Sequence, residues 1–172
     1  DPEIMPKKAF HCVRGNELTY ELSEEHKFPC VKRGKEVLAK NEIEKEYLED
    51  IARVSKLNGV EYKRITREEA QELEPNVECI SGLYFPSSGI IEPIEFLRTL
   101  KRLAEGNGVI FLENTKVEEV ISKEKEFEIH TNEEMFESNW VINAAGVYSD
   151  KIAKMINNNS PYEAFPMRGE AV

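Results

Sequence analysis

The chain is poor in several things that would place a protein at once. Cysteine is scarce: Cys12, Cys30 and Cys79 are odd in number and lack CxxC spacing. That argues against a disulfide framework or a zinc site and points to reduced thiols. The three histidines (His11, His26 and His130) are scattered without a ligand pattern, so no metal is expected. No apolar run approaches the roughly 20 residues that span a bilayer, so no membrane span is expected, and no signal peptide opens the sequence. With reduced thiols, this makes the cytoplasm the expected compartment. Positive charge is short as well. Lysine and arginine number 23 against 33 acidic residues, a net charge of -10. A nucleic-acid partner is therefore not expected, because phosphate backbones recruit basic surfaces.

What is present fits a folded chain. Hydrophobic residues make up 40% and charged residues 33% of 172 residues, enough for one domain with a real core and part of another. Residues 8–26 carry apolar side chains at roughly helical spacing, and Phe28–Pro29 end that run. Cys12 reads as a buried helix residue. Residues 30–39 (CVKRGKEVLA) read as a strand bent at Gly34. Asn41 with Glu44, and Thr66 with Glu69, are capping-box pairs opening helices that close near Gly59 and Leu73. Residues 60–65 and 79–85 read as strands. Pro93 suits the first turn of a helix that ends at Gly106–Gly108. Short strands follow at 109–112, 115–122, 127–131, 135–137 and 140–143. A second helix-like pattern and an Asn-rich loop then lead into an extended stretch over 162–172.

The stretch from Trp140 to Asp150 (WVINAAGVYSD) organises this order. A short apolar run passes through Ala144, Ala145 and Gly146 into a helix start. Small residues there let a bulky ligand approach the backbone, and a helix start favours negative charge.

Four segments together resemble the D-amino-acid-oxidase-like superfamily of FAD-dependent oxidoreductases, in the branch of glycerol-3-phosphate and L-2-hydroxyglutarate dehydrogenases. They are residues 82–93 (GLYFPSSGIIEP), 114–117 (NTKV), 141–150 (VINAAGVYSD) and 166–170 (PMRGE). Weaker agreement at Gly15–Asn16, Gly34–Lys35, 67–69 and 73–75 extends it over nearly the whole chain. The strand–GxGxxG–helix fingerprint that opens such proteins is missing, as is the acidic residue about 20 positions later. The chain therefore reads as an internal segment, expected to bind FAD weakly or not at all and to be inactive alone.

The resemblance implies an α+β fold: a mostly antiparallel sheet with helices on one side, forming a substrate-side domain over 1–107. It implies a partial FAD-binding segment over 108–160, made of a meander, a strand, the Asn-Ala-Ala-Gly turn and a helix, and a truncated return strand over 161–172. It puts Val117, Ala144, Ala145 and Gly146 at the FAD, and Arg168 and Tyr84 at a small anionic substrate, a hydroxy acid or glycerol phosphate. Ser87–Gly89 would border the same pocket. The catalytic base and the electron acceptor stay open. So do two alternatives, a non-enzymatic ligand-binding or interaction domain and an amino-acid or amine oxidase of the same superfamily.

Overall fold

The computed structural model describes residues 1–169. The chain forms two compact units, Asp1–Val109 and Ile110–Val172.

The first unit opens with α1 (Pro6–His26), which starts on a proline and ends where Lys27 adopts φ 62° and returns its N–H to the Ser23 carbonyl at 2.8 Å. None of its 21 residues is buried, because its apolar side chains gather on no single face. Cys12, expected inside, is exposed for the same reason. The segment expected as one bent strand is two, β1 (Cys30–Lys32) and β2 (Lys35–Ala39), which join different sheets. Gly34 between them has φ +76°, a conformation L side chains rarely adopt.

Next come α2 (Glu42–Leu57), β3 (Lys63–Thr66), α3 (Arg67–Leu73), β4 (Ser81–Phe85), β5 (Gly89–Ile91) and α4 (Pro93–Gly106). Asn41 caps α2 by accepting the Glu44 N–H at 2.9 Å, and Thr66 and Glu69 form a complete capping box on α3. Glu92 caps α4 less directly, its carboxylate taking the Ile94 N–H at 3.2 Å.

The main sheet is antiparallel in the order β2-β4-β3. Successive side chains of β4 alternate between its faces, which gives two small cores. Leu83 and Phe85 join Ala39, Leu48 and Ala52 against α2. Tyr84 and Leu38 lie with Ile65, Ala70 and Cys79 on the α3 side. Helices thus cover both faces, not one, because α2 and α3 each bring apolar residues to opposite sides of a single central strand. Among the described residues β1 pairs only with β5, as a separate two-stranded ribbon.

The second unit holds a meander, β6 (Val117–Ser122), β7 (Phe127–Thr131) and β8 (Met135–Ser138), followed by a 3-10 turn at Gly146–Tyr148 and α5 (Ser149–Ile156). Val120 is its one buried hydrophobic side chain among the described residues. Glu128 on β7 is gripped by Lys123 and by His130, the latter at 2.6 Å, and these partners hold its carboxyl below the usual range, Lys123 contributing most.

Two expected strands do not form. Residues 109–112 and 140–143 carry no regular structure and no ladder partner, although both are apolar. A strand is completed by hydrogen bonds to a neighbour, which periodicity does not supply. Residues 161–169 carry no regular structure either, and the remainder of the expected return strand lies outside the described residues.

Candidate functional site

The turn after the meander is built by one side chain. Ser138 first closes β8, its hydroxyl donating to the Trp140 carbonyl at 2.7 Å. Asn143 then staples the chain ahead of α5: its Oδ1 accepts the Ala145 N–H at 3.3 Å and its Nδ2 donates to the Ser149 carbonyl at 2.7 Å. The Ala145 carbonyl accepts the Tyr148 N–H at 3.0 Å, winding the chain into the 3-10 turn. Gly146 takes φ +56°, and nothing stands within 4 Å of the place a Cβ would occupy. Ala144 and Gly146 are exposed and Ala145 is half-buried. The turn is thus exposed at Ala144 and Gly146, with open space around Gly146.

The helix start itself is less suited to phosphate than its sequence implies. Asp150 sits in the first turn of α5, and its Oδ1 accepts the Lys151 N–H at 2.8 Å. A carboxylate there interacts with the positive end of the helix and repels a second anion. A hollow of about 340 Å³ beside it is lined by Asn143, Ser149, Asp150, Ala153, Tyr162, Glu163 and Ala164.

Val117 opens β6, half-buried and opposite Thr131, with a bulge between Val117 and Glu119. The approach to it is fixed by Asn114 at φ 59° and by Asn132, whose Oδ1 accepts the Lys116 N–H at 2.6 Å. The bulge releases the ladder at that point, so backbone groups at the start of β6 are not all committed to β7. Arg168 is exposed in the irregular segment near the end of the described chain.

Tyr84 belongs to the first unit. It lies on β4 opposite Glu36 and Lys63, and its ring occupies the space that Gly34 leaves by having no side chain. Beyond it, the loop at residues 86–88 is held from several sides. The Ser87 carbonyl accepts from Tyr20 Oη at 3.1 Å and from Asn16 Nδ2 at 3.3 Å. The Ser88 carbonyl accepts the N–H groups of Arg33 and Gly34 at 3.3 and 2.9 Å. Ser87 and Ser88 also edge a cavity of about 580 Å³ whose other walls include Met5, just ahead of α1, and Ala9, Val13 and Asn16 of α1.

Of the six expected site residues, Ala144, Ala145 and Gly146 form one turn, Val117 and Arg168 lie elsewhere in the same unit, and Tyr84 lies in the other. The residue that sequence reasoning passed over is Asn143. An amide side chain ahead of two small residues and a glycine was the available signal, since Asn readily bonds backbone groups two residues on. Among the described residues no group of His, Cys, Asp and Glu is arranged to hold a metal ion, and no helix is long and apolar enough to cross a membrane.

Comparison with known proteins agrees with this architecture. The glycerol 3-phosphate dehydrogenase of Caloramator mitchellensis is 37% identical over 162 residues, which are 92% of this chain and 33% of that protein. The L-2-hydroxyglutarate dehydrogenase of Indibacter alkaliphilus is 30% identical over 95% of this chain and 41% of its own length. Among solved structures, an L-proline dehydrogenase from P. horikoshii superposes with a TM-score of 0.75 at 27% identity, over 83% of this chain and 39% of that one. The chain therefore spans about a third to two-fifths of the length of the proteins it resembles. The family model described as FAD dependent oxidoreductase (DAO) matches residues 5–172. The chain belongs to this family of FAD-dependent oxidoreductases.

Proposed function

We propose that the whole protein oxidises the CH–OH carbon of a small anionic substrate, glycerol 3-phosphate or a 2-hydroxy acid. The observation that carries this reading is the 37% identity to a glycerol 3-phosphate dehydrogenase across 92% of the chain. When bound, FAD supplies the acceptor for the hydride.

The chain's own residues have supporting roles. The open backbone at Ala144, Ala145 and Gly146 fits close passage of the cofactor. Asn143 keeps that passage open by holding the turn from both ends, and Asp150 suits a hydroxyl of the ribose. Val117 offers backbone groups for the adenine end at the bulged start of β6. Arg168 supplies a guanidinium that can bind a carboxylate or phosphate through two parallel hydrogen bonds. Tyr84 would offer the substrate an aromatic ring with a hydroxyl.

The test is a dye-linked assay of the full-length, FAD-loaded protein with glycerol 3-phosphate, L-2-hydroxyglutarate and a panel of amino acids including proline. Turnover of the hydroxy substrates is expected, and activity on amines alone would overturn the substrate class. Replacing Arg168 by Ala should raise KM for the anionic substrate at least about tenfold, the range of a lost charge-assisted hydrogen bond. An unchanged KM would remove Arg168 from the site.

A further inference from the structure

We propose that α1 serves as a positioning strut for the loop at residues 86–88, with Tyr20 as the residue that sets the loop's place. The observations are independent of the residues assigned above. Tyr20 donates its hydroxyl hydrogen to the Ser87 carbonyl at 3.1 Å, and Asn16, one turn earlier on the same helix, donates to the same oxygen at 3.3 Å. On the other side of the loop, two backbone N–H groups from the β1–β2 corner converge on the Ser88 carbonyl. Two adjacent carbonyls thus take four donors from α1 and from the β1–β2 corner, and an isolated surface turn has no need of that.

The fit around Tyr20 is close. A Cβ on Gly89 would collide with the Tyr20 hydroxyl and with the Val31 carbonyl, so glycine is required there by space, not by backbone angle. The Lys32 ammonium stands over the Tyr20 ring, 4.5 Å from its centre. Burial, and then the nearby Cys30, raise the phenol's pKa, so the hydroxyl keeps its proton and remains a donor. By contrast, α1 buries none of its residues. Its defined attachments to the loop are these two side chains, and core packing does not account for them.

The loop connects β4, which carries Tyr84 two residues before Pro86, to β5 and α4. A strut that sets residues 86–88 therefore also sets the far end of the strand bearing Tyr84. This consequence for substrate rests on the reading under Proposed function, whereas the mechanical role of Tyr20 does not. Tyr20 is in this view a positioning residue acting through Ser87, with no contact to the reacting atoms.

Two readouts on the full-length, FAD-loaded protein separate the claims. Tyr20→Phe keeps the ring and its contact with Lys32 and removes only the hydroxyl. Hydrogen exchange at the amides of residues 87–89 is expected to rise roughly three- to tenfold, the range of one net hydrogen bond, while exchange in α2 stays unchanged. Asn16→Ala should act in the same direction with a smaller effect. Arg14→Ala, on the same helix but paired with exposed Glu17 and Glu21, should do nothing at the loop. Unchanged exchange at 87–89 in Tyr20→Phe would overturn the strut. With glycerol 3-phosphate or L-2-hydroxyglutarate, whichever the wild type turns over, Tyr20→Phe should raise KM by a similar factor and leave kcat within about twofold. A lowered melting temperature with KM unchanged would show that α1 braces the fold and does not set the pocket. A wild type inactive on both probes would count against the proposed substrate, and the exchange result would still decide the strut.

Discussion

The two units of this chain bury their apolar residues very differently. In the first, the central strand β4 places Leu83 and Phe85 on one face and Tyr84 on the other, and each face meets a helix. In the second, three strands and a helix enclose Val120 alone among the described residues. Trp140 and Ile142 stand 84% and 91% exposed. Both units have regular hydrogen-bonded sheets, so sheet formation alone does not make a core. A strand needs covered faces to be stabilised by burial, and the second unit's apolar side chains lack such cover among the described residues.

This contrast can be tested by substitution, with segment-resolved hydrogen exchange and denaturant unfolding following each unit separately. The largest effect is expected for Leu83→Ala. Leu83 is fully buried, and the change should destabilise the first unit by about 2–5 kcal/mol while exchange in β6–β8 stays unchanged. Loss of protection in the meander as well would mean the two units unfold as one. Next, Thr66→Ala removes half of the capping box on α3 and should cost about 1 kcal/mol, read as faster exchange in α3 and β3. The smallest effect is expected for Trp140→Ser. A side chain so exposed should contribute less than about 0.5 kcal/mol to this chain. Repeating that substitution in the full-length protein sharpens the comparison, because a larger cost there would show that residue 140 is covered in the intact molecule.

The sequence was most legible where a local rule decides the structure. The Asn41–Glu44 and Thr66–Glu69 pairs located two helix starts, Pro93 a third, and Gly34 a change of direction, since each acts through its own backbone neighbours. It was less legible where the outcome depends on partners. Residues 109–112 and 140–143 have strand-like composition but gain no ladder, and the apolar positions of α1 find no face to cover. The candidate site followed the same division. The Ala144–Gly146 turn was visible because small residues are an intrinsic signal. The role of Asn143 in holding that turn depends on a side chain reaching Ser149, a contact that spacing alone did not single out. The doubly bonded carbonyls of Ser87 and Ser88 were invisible for the same reason, since their donors come from residues 16, 20, 33 and 34.

The pairing of Gly34 with Tyr84 has a consequence for how this region can diverge. A side chain at residue 34 would meet the Tyr84 ring and also the barrier set by φ +76°. Position 34 therefore acts as a permission for bulk at position 84. Among relatives, a larger residue at the first should travel with a smaller one at the second, and the two should be inherited as a coupled pair although 50 residues of chain separate them.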